Sequence, residues 1–340
     1  MSEAPSDQYR DPQTLEHLRK IASGIFAKHA IDFIAAKRAG GWTNLTWLAG
    51  GLVLRLAARP AQDKIQREAK LAALLPPTVG FPPILETGVT EGHEWSLSRA
   101  ITGRNLGEVW NDLTWTERTN ALHQLWEKVL AVQSVDVTAA AELARESPWF
   151  NAADAQAAED CLSRLVQQNI LSSPQAGILE VALSRFWKAL PGARCVLNHG
   201  DLTIENALWH AGKVVSLLDF EFAVVAPAEL DLNELVKCAF APGERHESLP
   251  DPGGAGLQQM QKAVAELVKP VIAHPGGKDL LMGYAILLEL WMLEDWLAHP
   301  EGEGPFEQWQ PYRMLLSLAD GQAGYLAPLL AYLIVLPRFK

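Results

Sequence analysis

The sequence predicts an α+β chain of two lobes: a small N-terminal lobe over residues 1–101, with an antiparallel sheet plus helices, and a larger, mainly helical lobe over 102–340. Three observations lead there. Up to Ile101 the chain shows short apolar runs punctuated by Gly-Gly and Pro-Pro pairs. Beyond it, helical spacing of apolar residues dominates. That helical part is interrupted once, between Val196 and Glu221, by a pattern that reads as a polar hairpin. A chain of 340 residues with 49% hydrophobic and 20% charged residues is long enough to bury a core in each lobe.

Taken in order, Asp11-Pro-Gln-Thr-Leu-Glu opens a helix, with Pro12 in the tolerated first turn and Leu15, Leu18, Ile21, Ala22 and Ile25 on one face, which should pack on a sheet. Three apolar runs follow, residues 31–36, 45–49 and 52–56, separated by Gly40-Gly41 and Gly50-Gly51 and read as antiparallel strands. The turn Gly40-Gly41-Trp42-Thr43-Asn44 is either a plain hairpin or a place where backbone N–H groups approach phosphate oxygens closely. A helix over 63–75 has Ile65, Ala69, Ala72 and Ala73 inward. Pro76-Pro77 ends it. Strands over 84–87 and 94–98 flank the turn Val89-Thr90-Glu91-Gly92, and Arg99, Ala100 and Ile101 then cross into the helical lobe. There, helical spacing covers 115–133, 152–169, 177–190, 257–268, 278–298 and 306–319, with Pro- and Gly-rich loops over 242–256 and 299–305.

The most informative stretch is Val196-Leu-Asn-His-Gly-Asp-Leu-Thr-Ile-Glu-Asn206, followed by Leu217-Leu-Asp-Phe-Glu221. Residues 202–209 and 214–218 read as two short strands around the turn His210-Ala-Gly-Lys213, which would return Asn206 toward Asp219. Phosphoryl transfer needs a carboxylate beside the attacking hydroxyl, oxygen ligands for Mg²⁺, and positive charge along the nucleotide phosphates. Asp201 fits the first role and Asn206 with Asp219 the second, since Mg²⁺ takes few protein ligands, all hard oxygens. An ordinary polar hairpin is the competing reading.

The segments His199-Gly-Asp-Leu-Thr-Ile-Glu-Asn206, Leu217-Leu-Asp-Phe-Glu-Phe-Ala223 and Glu229-Leu-Asp-Leu-Asn233 resemble the aminoglycoside phosphotransferase and choline-kinase-like superfamily of small-molecule kinases. That resemblance implies a bilobal protein-kinase-like fold, with Asp201 as catalytic base. It also implies ATP or GTP with Mg²⁺ as cofactors, and a small-molecule hydroxyl as acceptor: an aminoglycoside, amino sugar, other sugar or amino alcohol. Glu221 fits the small-molecule branch rather than the protein kinases. Arg55, on the strand where protein kinases carry a phosphate-binding lysine, would hold phosphates and pair with Glu68 of the helix over 63–75. A solvated Glu68 paired locally with Lys64 or Arg67 is the alternative. The Gly40-Gly41 turn with Thr43 and Asn44 would cover the phosphates, and Arg99, Ala100 and Ile101 would receive the base, although a plain linker explains the last three equally well. Asp231 would brace the catalytic loop, as would His199. Ala226-Pro-Ala-Glu229 departs from the usual Gly-Asp-Pro turn of relatives, which puts the local loop shape in question. An inactive nucleotide-binding pseudokinase and a metal-dependent hydrolase using Asp201 and His199 are the other classes considered.

Glu289-Leu-Trp-Met-Leu-Glu-Asp-Trp296 brings acidic and aromatic residues onto one helix. Glu289, Glu294 and Asp295 could meet ammonium or hydroxyl groups of an amino sugar and Trp291 its ring, or all four could be ordinary core and surface residues. A net charge of −11 with no basic cluster disfavours nucleic acid and suits either a cationic acceptor or simple solubility. No apolar run is long enough to span a bilayer, because Glu289 interrupts the best candidate over 280–292. Cys161, Cys195 and Cys238 make no metal spacing or even disulfide set, and Cys195 and Cys238 are expected to be buried, inert thiols; with no secretory signal in the first residues, a cytoplasmic setting is expected. Oligomeric state has no sequence signal.

Overall fold

A computed structural model of the chain describes residues 12–39, 44–60, 64–145, 155–245, 254–298 and 304–335. It divides into two compact units: residues up to Gly103 together with Ser216–Glu221, and Arg104–Val215 together with the chain from Phe222 onward. The short return of Ser216–Glu221 to the first unit is not part of the division read from sequence.

In the first unit, helix α1 (Pro12–Lys28) precedes strands β1 (Lys37–Ala39), β2 (Asn44–Ala49) and β3 (Leu52–Ala57). Helix α2 (Lys64–Ala72) then leads to β4 (Ile84–Thr90) and β5 (His93–Arg99). The five strands form one antiparallel sheet in the order β1-β2-β3-β5-β4. Alternation along the strands turns Leu45, Trp47, Leu54, Leu56, Trp95 and Leu97 to one face, where Leu18, Ile21, Ile25 and Phe26 of α1 cover them. The β2–β3 connection is the Gly50-Gly51 turn with φ of 57° and 76°, the mirror-image turn whose twist matches paired strands. Glu94 of β5 accepts hydrogen bonds from the N–H groups of Ile65 (3.0 Å) and Gln66 (3.3 Å), so the start of α2 is fixed to the sheet.

The expected strand over 31–36 is absent. Asp32 instead accepts from the N–H of Ile34 and starts a 3₁₀ turn over Phe33–Ala35, and the edge strand begins at Lys37. Phe33 packs edge-on against Trp47 and at a tilt against Phe26, whereas Ile34 stands in solvent.

The second unit begins with β6 (Arg104–Asn105) and helices α3 (Leu106–Val109), α4 (Trp115–Gln133) and α5 (Val137–Ala141). Next come α6 (Gln156–Gln167), α7 (Ser173–Ala189), β7 (Cys195–Asn198), β8 (Ala207–His210), β9 (Lys213–Leu217) and β10 (Val224–Pro227). Helices α8 (Leu232–Phe240), α9 (Pro242–Arg245), α10 (Ala255–Val271), α11 (Gly277–Ala298), α12 (Gln310–Leu318) and α13 (Ala327–Val335) complete it. Capping boxes start α4 (Thr114 with Glu117) and α7 (Ser172 with Gln175), the second four residues before the start read from spacing. The expected strand over 202–209 begins only at Ala207, because Ile204–Asn206 form a 3₁₀ turn. β7 and β10 pair antiparallel with Asn198 opposite Val224; β6, β8 and β9 form a three-stranded sheet. The long helix α11 lies against α7, close enough that any side chain at Gly283 would strike the Phe186 ring. No described helix is long and apolar enough to cross a membrane.

Candidate active site

In the first unit, Arg55 sits between Leu54 and Leu56 on β3, so the alternation that buries those two turns Arg55 to the opposite face of the sheet. One guanidinium nitrogen pairs with Glu68 Oε2, and the other donates to Asp219 Oδ1 at 2.9 Å. Burial works against the charge on Arg55, but Asp219, Glu68 and Glu221 together outweigh it and hold its pKa well above the usual value. Glu68 is almost wholly buried, which pushes its carboxyl upward, while Arg55 and a hydrogen bond from the N–H of Phe220 (2.8 Å) oppose that shift. Asp219 has φ of 61°, a left-handed conformation that Asp tolerates better than most residues. Glu221, also buried, accepts from Asn44 Nδ2 at 3.1 Å, and its backbone carbonyl accepts from Arg67 at 2.8 Å. The Phe220 ring meets Phe81 edge-on at 5.6 Å. Five residues from the sheet and its surroundings therefore fasten Asp219-Phe220-Glu221. Arg67 and Glu68 are each spent on this segment rather than on one another.

In the second unit, the loop that carries Asp201 leaves β7 at Asn198. Gly200 has φ of 81°, and a Cβ there would lie 2.0 Å from the carbonyl oxygen of Phe222, so only glycine fits. Asp231, at the start of α8, accepts from the N–H of His199 (2.7 Å) through one oxygen and of Gly200 (3.1 Å) through the other. Burial raises its pKa to about 6, and those two N–H groups oppose the shift. One turn further on, Glu234 accepts from the N–H of Ile204 at 3.0 Å. The loop is thus held by carboxylates from the first turn of one helix. Inside it, Asn206 Nδ2 donates to the Asp201 carbonyl (2.9 Å) and to Asp201 Oδ2 (3.2 Å). This fixes the amide so that its oxygen is left for another partner. Thr203 opens the 3₁₀ turn that carries Asn206 into β8.

A sequence profile described as the phosphotransferase enzyme family (APH) matches residues 35–267. The chain belongs to that family. Among solved structures, the phosphotransferase is similar to aminoglycoside 2'-phosphotransferase-IIIa in its GDP complex. Identity there is 17%, 89% of this chain and 97% of that one are covered, and the TM-score is 0.63. It is likewise similar to a thermostable mutant of APH(4)-Ia in ternary complex with ADP and hygromycin B, at 16% identity, 90% and 99% coverage, and a TM-score of 0.61. A GDP and kanamycin complex of APH(2")-IIIa aligns at 17% identity over 85% and 93% of the chains, with a TM-score of 0.58. No curated protein sequence matches the chain. These likenesses carry the fold, an α+β architecture with an antiparallel N-terminal sheet and a larger helical part; the family match makes the protein a small-molecule phosphotransferase.

Gly40, Gly41 and Thr43 lie outside the described residues, and Asn44 is the only member of that turn whose contact is seen, to Glu221. At the end of β5 the N–H of Arg99 donates to the Pro83 carbonyl and that of Ala100 to the Gly51 carbonyl. Of the three expected base-binding positions, Ile101 is the one whose N–H takes no described backbone partner. Glu289 is a correction. It is wholly buried in an ion pair with Lys237 of α8 and does not face an acceptor. Glu294 pairs with Arg164 at the surface, and Asp295 is exposed. Trp291 alone of the four lines a cavity of about 100 Å³ that Asp201 also lines, its ring edge-on to Phe222 at 5.4 Å. Cys238 is buried as expected, but Cys195 is exposed at the start of β7; Cys161 is also buried.

Sequence reasoning did not single out Glu234, Lys237 or Glu229. Glu229 is buried and bonded to His274 Nε2 at 2.5 Å. It occupies the stretch where the family turn is replaced, yet Asp231 two residues on keeps both loop contacts. The spacing of Asp231 and Glu234, one turn apart at a helix start, is the signal that could have revealed the second brace.

Proposed function

We propose that the phosphotransferase moves the terminal phosphoryl group of ATP or GTP to a hydroxyl of a small molecule, with an aminoglycoside or amino sugar the favoured acceptor and other sugars or amino alcohols within the same class. Asp201 would orient the hydroxyl and take its proton as the oxygen–phosphorus bond forms and the bond to the leaving nucleoside diphosphate breaks. Arg55, kept charged and aimed by Glu68, would bind phosphate oxygens. Asn206 and Asp219 would hold Mg²⁺. The donor chemistry fits: the Asn206 amide nitrogen is spent on Asp201, which leaves a neutral oxygen, and Asp219 offers a carboxylate. Bound there, the divalent ion would offset negative charge on the phosphates. The N–H of Ile101 is the favoured base contact, because its two neighbours are engaged within the protein.

The observation that carries this reading is the Asp201–Asn206 contact inside a loop whose backbone is fastened by two buried carboxylates, a way of holding one carboxylate in place before substrate arrives. The net charge of −11 supports a cationic acceptor, and the structural neighbours were solved with hygromycin B or kanamycin and with GDP or ADP. Screening hydroxylated amines and sugars for acceptor-dependent ADP or GDP release, with mass detection of a phosphorylated product, tests it. Release of inorganic phosphate without such a product would instead favour a hydrolase, and metal-dependent nucleotide binding without turnover a pseudokinase.

A further inference from the structure

The cavity beside Asp201 is lined by Leu230, Asn233, Glu234, Lys237, Trp291 and Met292 among others. Most of the polar groups there are committed within the protein. Asp231 serves two N–H groups, Glu234 serves Ile204, and Lys237 is paired with Glu289. Asn233 differs. It is 2% exposed, its Nδ2 donates to the Leu230 carbonyl at 3.2 Å, and its Oδ1 is buried without a hydrogen-bond partner among the described residues. Flipping the amide would forfeit the bond to Leu230, so the oxygen stays the unmatched end. An unmatched buried carbonyl is costly, and a donor that satisfies it is correspondingly favoured.

Resting on the kinase reading above, we infer that Asn233 reads a hydrogen-bond donor on the acceptor next to the hydroxyl that Asp201 orients, so that the substrate is a vicinal diol or a vicinal amino alcohol. A cavity of about 100 Å³ takes one ring edge rather than a whole polycyclic molecule. Asp201 and Asn233 line the same cavity, so two neighbouring donors would meet two oxygen acceptors there: Asp201 receives the reacting hydroxyl and Asn233 its neighbour. Trp291 and Met292 supply an apolar wall for the ring carbons. An alcohol without the second donor leaves Asn233 unmatched, and hydrogen-bonding sites of this kind discriminate strongly against the analogue that lacks the group.

Three ring probes of one size test this: trans-1,2-cyclohexanediol, trans-2-aminocyclohexanol and cyclohexanol, each assayed for phosphoryl transfer by the native enzyme beside kanamycin and a panel of sugars. The expected result is kcat/KM roughly 10- to 100-fold higher for the diol or amino alcohol than for cyclohexanol, the span of one unmatched buried polar group. In Asn233→Leu, checked for folding by its thermal transition, that ratio falls to near one. Equal turnover of the three rings, or transfer to kanamycin or a sugar with none to any ring, overturns the role of Asn233 and leaves the kinase reading standing. No transfer to any alcohol overturns both.

Discussion

The two segments that carry the candidate site residues, one in each unit, are built by opposite means. Asp219-Phe220-Glu221 is gripped mainly by side chains, with Arg55, Glu68, Asn44 and Arg67 reaching it from a sheet and a helix. The loop carrying Asp201 is gripped through its own backbone, by carboxylates at the start of α8. Side-chain pairing makes the first segment depend on charges, and under the proposed function a nucleotide phosphate would compete with Asp219 for Arg55. Backbone anchoring makes the second indifferent to the ligand, which suits a group whose contribution is placement.

Breaking the backbone-held half at its centre should have the largest effect. Asp201→Asn is expected to lower kcat by roughly 10²–10⁴-fold with the thermal transition unchanged, as removal of a positioned base does. Kinetics and melting on the same preparation check both parts. In the side-chain half, Glu68→Ala leaves Arg55 and the Phe220 N–H without their buried partner and should cost about 3–5 kcal/mol of stability, read from denaturant unfolding. A loss below about 1 kcal/mol would show that Arg55 is satisfied by Asp219 alone.

The third contrast is in pH. Because burial raises Asp231 to about 6, acidification through that value protonates it and weakens its hold on His199 and Gly200, so transfer should fall below about pH 6. Its effect on folding has the opposite sign. The folded protein binds this proton more tightly than the unfolded chain, so Asp231 adds stability as pH falls from about 6 toward the ordinary carboxylate range near 4. A pH–rate profile flat down to pH 5 would contradict the first statement, and Asp231→Asn should flatten the second. Smallest is Asn44→Ala, which removes one neutral donor from Glu221 and should cost about 1 kcal/mol, with a modest rise in nucleotide KM.

The same contrast explains what sequence could and could not reveal. Arg55 and Glu68 were legible through the kinase resemblance and Asp219 through its spacing after Asp201 and Asn206, whereas the Arg55–Asp219 pair was not foreseen. Elements with a polar and an apolar side, such as α1, α4 and α10, were legible from their apolar spacing. Helix α8 was not: all nine of its residues are buried, and the polar residues along one side of it, Asn233, Glu234 and Lys237, meet internal partners instead of solvent. β1 is a polar edge strand, and the apolar run before it misled because Ile34 is 93% exposed and Asp32 caps a turn. Glu289 looked like an acceptor ligand because a carboxylate among aromatic residues invites that reading. Only its partner Lys237, on another helix, shows it to be internal.

Central to the proposed function is the reading that Asn206 and Asp219 would each serve the divalent ion that accompanies the nucleotide. The most direct test is nucleotide binding titrated with Mg²⁺ in the native protein, in Asn206→Ala, in Asp219→Ala and in the double variant. The account predicts that each single change raises the Mg²⁺ concentration needed for half-maximal binding, and that the double change adds less than the sum of the two. A Mg²⁺ requirement unchanged in both single variants would contradict it.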